Sequence, residues 1–294
     1  MNDNDANRRN EEGQRARLGH VKCLSPAGLH SMAYTEWGDP ANPEVLLCVH
    51  GLTRLGRDFD RLARALSDRY RVVCPDVVGR GLSDWLRDPA YYAVPQYVAD
   101  MVTLIARLGV ERVDWVGTSM GGLIGMLLAA EERSPIERLV INDIGPRVAP
   151  ETLAQIKGYL GLDLVFADLA QLEAHLRLIH APFGKLSDDQ WRALAEHSSR
   201  RTPQGLRLHY DPAIREPFLA ASSEGMALWE TWDRIRCSTL VLHGADSVLL
   251  TGDVITEMQG RGPAIELVTF PGVGHAPALM DPAQTAVVTR WLGL

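Results

Sequence analysis

The chain has 294 residues, of which 46% are hydrophobic and 23% are charged, so it can bury a full core and need not be disordered. A formal charge of -7 without a long basic stretch argues against nucleic acid as a partner. No apolar stretch approaches the roughly 20 residues of a membrane span or forms a signal peptide, and four scattered cysteines favour a reduced, cytoplasmic protein.

The N-terminal part of the chain predicts a tail followed by a hairpin. Residues 1–18 are polar and charged without periodicity, so we expect a disordered tail. Between His20 and Gly38 two short runs show strand-like alternation around the turn residues 25–28. These runs predict an opening hairpin.

Six apolar runs alternate with helical stretches after Pro40. Continuous Val, Leu and Ile runs are typical of strands buried on both faces, and the segments between them have an apolar spacing near that of a helix. The pattern predicts an α/β fold with a parallel sheet wound by helices. The runs are residues 45–49, 70–75, 113–117, 138–143, 239–244 and 265–270.

One interval breaks this alternation, because about 95 residues separate the strand ending at Asp143 from the strand that starts near Thr239. Asp168 and Ser187 stand where helix N-caps are expected, and residues 151–161 and 224–232 are weaker helix candidates. We therefore expect a helical cap of residues 147–234. It is inserted into a core made of residues 19–146 and 235–294.

The sharpest chemical motif is the segment Gly-Thr-Ser-Met-Gly-Gly at residues 117–122, between a predicted strand and an apolar helix. Glycines at 117 and 121 lack the Cβ atoms that would collide as a strained strand-to-helix turn closes. Ser119 would then stand at the carboxyl edge of the sheet as a nucleophile. The amide of Met120, at the helix N-terminus, would point at an oxyanion formed there.

Two further loops supply the partners that a serine nucleophile needs. Gly51 lets the loop after the first parallel strand turn close to the nucleophile, so the amide of Leu52 can be the second oxyanion donor. His50 is interpreted as structural, orienting this loop through a ring hydrogen bond. His275, on the loop after the last strand, is the expected base, because a serine hydroxyl is a poor nucleophile until its proton is removed.

Ser119 in its turn, the loop at His50 and the late His275 together resemble the α/β-hydrolase fold. Residues 76–84 also resemble the D-x-x-G-x-G-x-S loop after the fourth strand of those enzymes. The resemblance covers residues from about 20 to 294 and implies an eight-stranded, mostly parallel sheet with helices on both faces. It also implies the triad order Ser, acid, His, and a helical cap after the sixth strand. The chain is most similar to bacterial ester and carbon-carbon bond hydrolases whose elbow has the sequence G-x-S-M-G-G.

The acid departs from the family pattern. Family members usually carry Asp about three residues past a Gly on the loop after the seventh strand, and that position here is Ser247. Asp246 lies one residue early and is preferred, because a loop absorbs a one-residue shift easily. Other α/β-hydrolases take the acid from the end of the sixth strand, where Asp143 is the alternative. Asp143 could instead cap the turn that follows it.

These residues predict a serine hydrolase that cleaves a carboxylic ester of a small or medium-sized substrate through an acyl-enzyme. No cofactor or metal is expected, since the Cys and His spacings fit no zinc motif and no phosphate loop is present. One alternative is a carbon-carbon bond or enol-lactone hydrolase with the same triad. The other is a non-catalytic ligand receptor on this fold, which would show little turnover. Monomer and homodimer stay equally open.

Overall fold

The structure is a computed structural model that describes residues 15–220 and 225–293. Most of the expected tail, residues 1–14, lies outside the described residues. The tail boundary at residue 18 is wrong, because the first strand already begins at Arg17. Arg17 is paired with Glu36 of the second strand in the hairpin register and also donates a side-chain hydrogen bond to it.

Strands and helices follow one another as the apolar runs predict. The strands are β1 (Arg17–Ser25), β2 (Gly28–Trp37), β3 (Val45–Val49), β4 (Arg71–Pro75), β5 (Val113–Thr118), β6 (Ile136–Asn142), β7 (Arg147–Val148), β8 (Ser199–Thr202), β9 (Gly205–Leu208), β10 (Met226–Ala227), β11 (Ser238–Gly244) and β12 (Ile265–Phe270). The α-helices are α1 (Asp60–Leu66), α2 (Val94–Leu108), α3 (Met120–Ala129), α4 (Pro150–Tyr159), α5 (Leu169–Ile179), α6 (Asp188–Ser198), α7 (Arg215–Ala220), α8 (Trp229–Trp232), α9 (Gly252–Gly260) and α10 (Pro282–Trp291). Short 3-10 helices occupy Gly56–Phe59, Pro89–Tyr91, Ala181–Phe183 and Pro212–Ile214.

The main sheet has eight strands in the order β1-β2-β4-β3-β5-β6-β11-β12. The pairings of β1 with β2 and of β2 with β4 are antiparallel, and the remaining pairings are parallel. The prediction of a mostly parallel, eight-stranded sheet is confirmed. Because parallel strands end at the same edge, the loops after β3, β5, β6, β11 and β12 converge there.

Helices cover both faces of this sheet and bury separate apolar clusters. Neighbouring residues of β3 show why its run is continuous: Leu46 packs into the cluster that holds Leu62 of α1, whereas Leu47 packs into the cluster that holds Met101 of α2. Alternate residues of a buried strand thus meet two cores, so neither face can be polar. Within the described ranges, none of the helices has both the length and the apolar character to cross a bilayer.

The inserted segment is helical as expected, but it also contains strands. Asp168 accepts a hydrogen bond from the amide of Gln171 at the start of α5, and Ser187 forms a capping box with Gln190 at the start of α6. β8 pairs with β9, and β7 pairs with β10, in two short antiparallel ladders that the periodicity did not indicate. The helix expected over residues 224–232 reduces to α8, while 221–224 lie outside the described residues.

The large apolar side chains of the cap divide between two buried clusters. A buried cluster links α5 and α6 to β9 and reaches Met280 of the core. Several other cap residues are partly buried against the main core cluster, against which Leu52 also packs. The first group contains Phe166, Leu172, Leu176 and Trp191, and the second contains Leu153, Ile156, Met226 and Trp229.

Candidate active site

Ser119 lies on the turn between β5 and α3 in a strained conformation, with φ 52° and ψ -114°. Its backbone amide donates to the carbonyl of Asn142 on the neighbouring strand at 2.9 Å. A Cβ on Gly121 would overlap the carbonyl of Val49, and one on Gly117 would overlap the carbonyl of Gly121. The two glycines therefore permit the close packing that holds the serine out at the sheet edge.

Three side chains from three loops form a hydrogen-bonded chain at this edge. Ser119 Oγ lies 2.9 Å from His275 Nε2, and His275 Nδ1 lies 2.8 Å from Asp143 Oδ2. The carboxylate accepts from Nδ1, which leaves Nε2 as the acceptor that faces the serine hydroxyl. The side chain of Asp143 is fully buried, whereas that of His275 is 28% exposed. The end of the chain at which a substrate would react is thus the accessible one.

Asp143 is held in place from several directions at the end of β6. Its φ of 58° is left-handed, and its amide donates to the carbonyl of Leu242 at 2.8 Å. Gly244 N–H donates to Oδ1 at 2.8 Å, and Ser247 Oγ donates to Oδ2 at 2.6 Å. Together with His275 Nδ1–H, three donors converge on the carboxylate. An ionised carboxylate, which only accepts hydrogen bonds, suits this arrangement.

The order of preference for the acid is corrected by this geometry. Asp246 is exposed, and its amide donates to the carbonyl of Val273 at 2.9 Å. The carboxylate hydrogen-bonded to His275 is that of Asp143, the alternative. Ser247, at the usual acid position, points at the same carboxylate, so a shift of one residue carries the side chain of Asp246 away from the imidazole. The sequence did contain a signal for Asp143 as the acid: the usual acid position holds a Ser, and an Asp directly follows the sixth strand.

His50 orients the loop after β3 through both ring nitrogens. Nδ1 donates to the carbonyl of Gly51 at 2.7 Å, and Nε2 accepts from the amide of Val77 at 2.9 Å. Burial lowers the pKa of His50 to about 3, and the positive charges of Arg80 and Arg54 act in the same direction. The ring therefore stays neutral, with the hydrogen-bonding role that its position after β3 suggested.

Leu52 and Met120, the predicted oxyanion donors, flank the serine. A Cβ on Gly51 would lie 3.6 Å from Ser119 Cβ, so the loop that carries Leu52 runs close to the nucleophile. Met120 is the first residue of α3, and the first amides of a helix have no acceptor within the helix. Both residues belong to the edge of the sheet that carries Ser119.

Arg80, in the loop after β4, was not singled out from the sequence. Its side chain is fully buried, and Nε donates to the carbonyl of Leu52 at 2.8 Å. Nη2 lies 3.7 Å from Met120 Sδ. Arg80 thus contacts both predicted oxyanion donors, through the carbonyl of Leu52 and the side chain of Met120. The glycine-rich loop at residues 76–84 was the available signal, but it identified the family and no role for this side chain.

The cap meets the loop of His275 directly. Gly274 N–H donates to the carbonyl of Pro182 at 2.7 Å. The ring of His180 stacks on Phe183 with centroids 4.5 Å apart, and His180 Nε2 lies 3.5 Å from Arg54 Nη1. Burial, followed by the positive charge of Arg54, lowers the pKa of His180 well below its ordinary value. His180, which was not assigned to the site from the sequence, is therefore a neutral histidine of the cap that lies next to the active site.

Cys23, His30 and Asp100 form a second cluster of polar side chains, between the β1–β2 hairpin and α2. One ligand atom of each lies within 4.8 Å of the others, and all three residues are buried. His30 Nε2 is 3.0 Å from Asp100 Oδ2, and Gln96 Nε2 donates to Asp100 Oδ1 at 2.7 Å. Burial raises the pKa of the Cys23 thiol to about 12, which keeps it protonated. These contacts favour a packing role over metal binding.

Comparison with known proteins gives the same family as the fold and the site. The alpha/beta hydrolase family matches residues 46–288. A 3-hydroxybutyrate-oligomer hydrolase of Cupriavidus necator is 52% identical over 284 residues, which cover 94% of this chain and 97% of that protein. Among solved structures, a putative hydrolase from Rickettsia typhi superimposes with a TM-score of 0.88 at 34% identity, covering 94% of this chain and 98% of that one. An alpha/beta hydrolase from Novosphingobium aromaticivorans superimposes with a TM-score of 0.83 at 36% identity, covering 95% of this chain and 99% of that one.

The chain belongs to the alpha/beta hydrolase family. The predicted fold and the predicted class, a hydrolase of ester bonds, are both confirmed.

Proposed function

We propose that the protein hydrolyses the ester bonds of short 3-hydroxybutyrate oligomers, with Ser119 as nucleophile, His275 as base and Asp143 as acid. The observation that carries the catalytic assignment is the unbroken chain of hydrogen bonds from Ser119 Oγ through His275 to Asp143. The choice of substrate is supported by the 52% identical relative, whose name gives that activity and which aligns over nearly its whole length.

In this proposal Ser119 Oγ attacks the carbonyl carbon of the ester while its proton passes to His275 Nε2. The amides of Leu52 and Met120 donate to the oxyanion of the tetrahedral intermediate, and Asp143 stabilises the imidazolium. The intermediate collapses as His275 gives the proton to the departing hydroxyl of the hydroxy acid. A water molecule, deprotonated by the same imidazole, then releases the acyl group and restores Ser119.

The cap offers surroundings that suit a short, partly apolar acyl chain. Leu153, Ile156, Met226 and Trp229 are partly buried in the apolar cluster that also includes Leu52. A 3-hydroxybutyrate unit presents one methyl branch and one ester group, so apolar walls with a few polar groups near the ester fit its chemistry. We propose further that no nucleic acid takes part, in keeping with the charge of -7.

A cytoplasmic location is also proposed. It is supported by Cys23, Cys48, Cys74 and Cys237, all of which are free thiols. Free thiols persist where glutathione and thioredoxin keep cysteines reduced.

The first prediction tests the substrate. The purified protein should convert 3-hydroxybutyrate dimer and trimer fully into monomer, measured by chromatography of the released acid. It should also hydrolyse p-nitrophenyl butyrate, which shares the acyl length but lacks the second hydroxy acid. If the p-nitrophenyl ester is hydrolysed and the oligomers are untouched, the substrate assignment is wrong while the serine hydrolase assignment stands. If neither the p-nitrophenyl ester nor the oligomers are hydrolysed, the substrate assignment and the serine hydrolase assignment are both wrong.

A second prediction concerns Ser247, whose hydroxyl accepts from the amides of Leu249 and Leu250, each at 3.2 Å. The hydroxyl donates its single proton to Asp143 Oδ2. Ser247→Ala therefore removes one of the three donors that orient the carboxylate. A hydrogen bond to a charged group contributes about 1.5–3 kcal/mol, so kcat should fall roughly 10- to 100-fold. KM should change little, since the hydroxyl is not at the substrate. Ser247→Thr, which keeps the hydroxyl, should retain most activity. Equal kcat for the Ala variant and wild type would contradict this role.

A further inference from the structure

Arg80 combines complete burial with contacts to Leu52 and Met120, the two residues proposed as oxyanion donors. We propose that Arg80 is a positioning residue of the oxyanion hole, and that its positive charge also stabilises the oxyanion of the tetrahedral intermediate. This inference rests on the proposed ester hydrolysis through Ser119. It adds a group that lies behind the amides of Leu52 and Met120 and does not itself touch the substrate.

The guanidinium is fixed by contacts on every side. Nη1 donates to the carbonyl of Val78 at 2.8 Å and to the hydroxyl of Tyr97 at 3.0 Å, while Nε donates to Leu52. The rings of Tyr97 and Tyr92 lie against it, with centroids 5.0 and 5.9 Å from the guanidinium carbon. Because the guanidinium is held in one position by these contacts, a shift of the loop that carries Leu52 would break its hydrogen bond to Arg80 Nε. The donation from Nε fixes the peptide that follows Leu52. Through the Cα of Leu52 it restricts the amide N–H on the other side of the residue, which is the proposed oxyanion donor.

The charge of Arg80 is unusual because it has no ion-pair partner. In residues 15–220 and 225–293, no carboxylate lies within 4.0 Å of its nitrogens, and its acceptors are neutral: two carbonyls, a phenol and the thioether of Met120. Other arginines near the site differ: Arg54 is paired with Asp58, and Arg57 with Asp60. An unpaired buried charge is costly. An anion that forms during turnover would offset part of that cost.

The field of this charge reaches the loop of the oxyanion hole. The positive charge of Arg80 contributes to the lowered pKa of His50, two residues before Leu52. Hydrogen-bond and covalent lengths place the guanidinium within about 10 Å of an oxyanion bound at the Leu52 amide. At an effective dielectric constant of about 20, a unit charge at that distance favours the anion by roughly 10-fold. Misplacement of the Leu52 amide would add to the loss, because one oxyanion donor is worth about 100-fold or more.

The test compares Arg80→Met, which removes the charge and the fork, with Arg80→Lys, which keeps the charge. For each variant we measure kcat and KM on p-nitrophenyl butyrate and the inhibition constant of butylboronic acid. The boronic acid forms an anionic tetrahedral adduct when Ser119 Oγ bonds to boron and its proton passes to His275. We expect kcat of Arg80→Met to fall at least 10-fold with KM nearly unchanged, and boronate affinity to fall in parallel. Arg80→Lys should lie between Arg80→Met and wild type in both measurements.

Arg138→Met is the matched control, because Arg138 bonds to Asp114, to Tyr70 and to the carbonyl of Leu292 at the opposite end of the strands. It should lower the thermal unfolding temperature without changing kcat. An Arg80→Met variant that behaves like this control would overturn the inference. Should Arg80→Met fail to fold, the Arg80→Lys variant decides alone: a kcat and a boronate affinity that are both below those of wild type support the inference, and values identical to wild type in both measurements overturn it. Wild type that neither hydrolyses the ester nor binds the boronate would instead overturn the proposed function.

Discussion

Ser119→Ala is expected to abolish turnover of p-nitrophenyl butyrate and of 3-hydroxybutyrate oligomers, lowering kcat on the order of 10⁴- to 10⁶-fold. The substitution removes only Oγ, which lies 2.9 Å from His275 Nε2 and is the one atom that can form the acyl-enzyme. The fold should persist, because the backbone amide that binds Asn142 is unchanged. A fluorophosphonate probe should label the wild type and not the variant, and peptide mass spectrometry should locate the adduct at Ser119.

Ser199→Ala provides the matched control for this experiment. Ser199 Oγ donates to the carbonyl of Glu196 in the cap and has no contact with the imidazole, so its loss should leave kcat and labelling unchanged. Labelling of a serine other than Ser119 would refute the nucleophile assignment. So would a Ser119→Ala variant that keeps near-full activity.

The parts of the site that sequence could predict are those that depend on adjacent residues. The turn at Ser119 is defined by glycines two residues to either side, and Gly117 and Gly121 pack as that turn requires. His275 is found by its place after the last strand. For both residues, the strand before the loop and the type of the residue fix the position at the sheet edge, so local pattern is enough.

The acid depends on the register between distant strands, and local pattern does not determine it. Asp143 N–H donates to Leu242, and Gly244 N–H donates back to the Asp143 carboxylate, so the side chain is oriented by the pairing of β6 with β11. The sequence separates these partners by about 100 residues. A preference for Asp246 followed from its nearness to the usual position. The contact of Arg80 could not be predicted for the same reason, because its partner Leu52 lies in another loop.

The short strands of the cap were missed for a different reason. β8 consists of Ser199, Arg200, Arg201 and Thr202, with no apolar alternation to distinguish it from a polar loop. A tight turn joins it to β9, whose first residue, Gly205, has φ 138°. Backbone hydrogen bonds in both directions between Leu206 and Phe166 hold the hairpin against the rest of the cap. Tertiary contacts therefore define these strands where intrinsic preference is weak.

Asp143→Asn is expected to lower kcat on the order of 10³- to 10⁴-fold, with a smaller change in KM. The amide keeps the size of the side chain but has one oxygen for three donors, so either Gly244 N–H, Ser247 O–H or His275 Nδ1–H meets another N–H. The imidazole then loses both its tautomer and the charge that stabilises the imidazolium. Asp246→Asn, at an exposed position, should keep kcat within about twofold of wild type. Steady-state kinetics on p-nitrophenyl butyrate, with thermal unfolding to confirm folding, measure both.

The opposite pattern, with Asp246→Asn inactive and Asp143→Asn active, would contradict the assignment of the acid. A second substitution strengthens the test by moving the carboxylate within the same site. Ser247 Oγ lies 2.6 Å from Asp143 Oδ2, the oxygen that accepts from His275, so a carboxylate at position 247 can approach Nδ1. Adding Ser247→Asp to Asp143→Asn should therefore recover part of the lost kcat, whereas adding Ser247→Asn, which has the same shape without the charge, should not. Recovery by the charged residue alone would show that His275 needs a carboxylate at this point and that Asp143 supplies it in the natural chain.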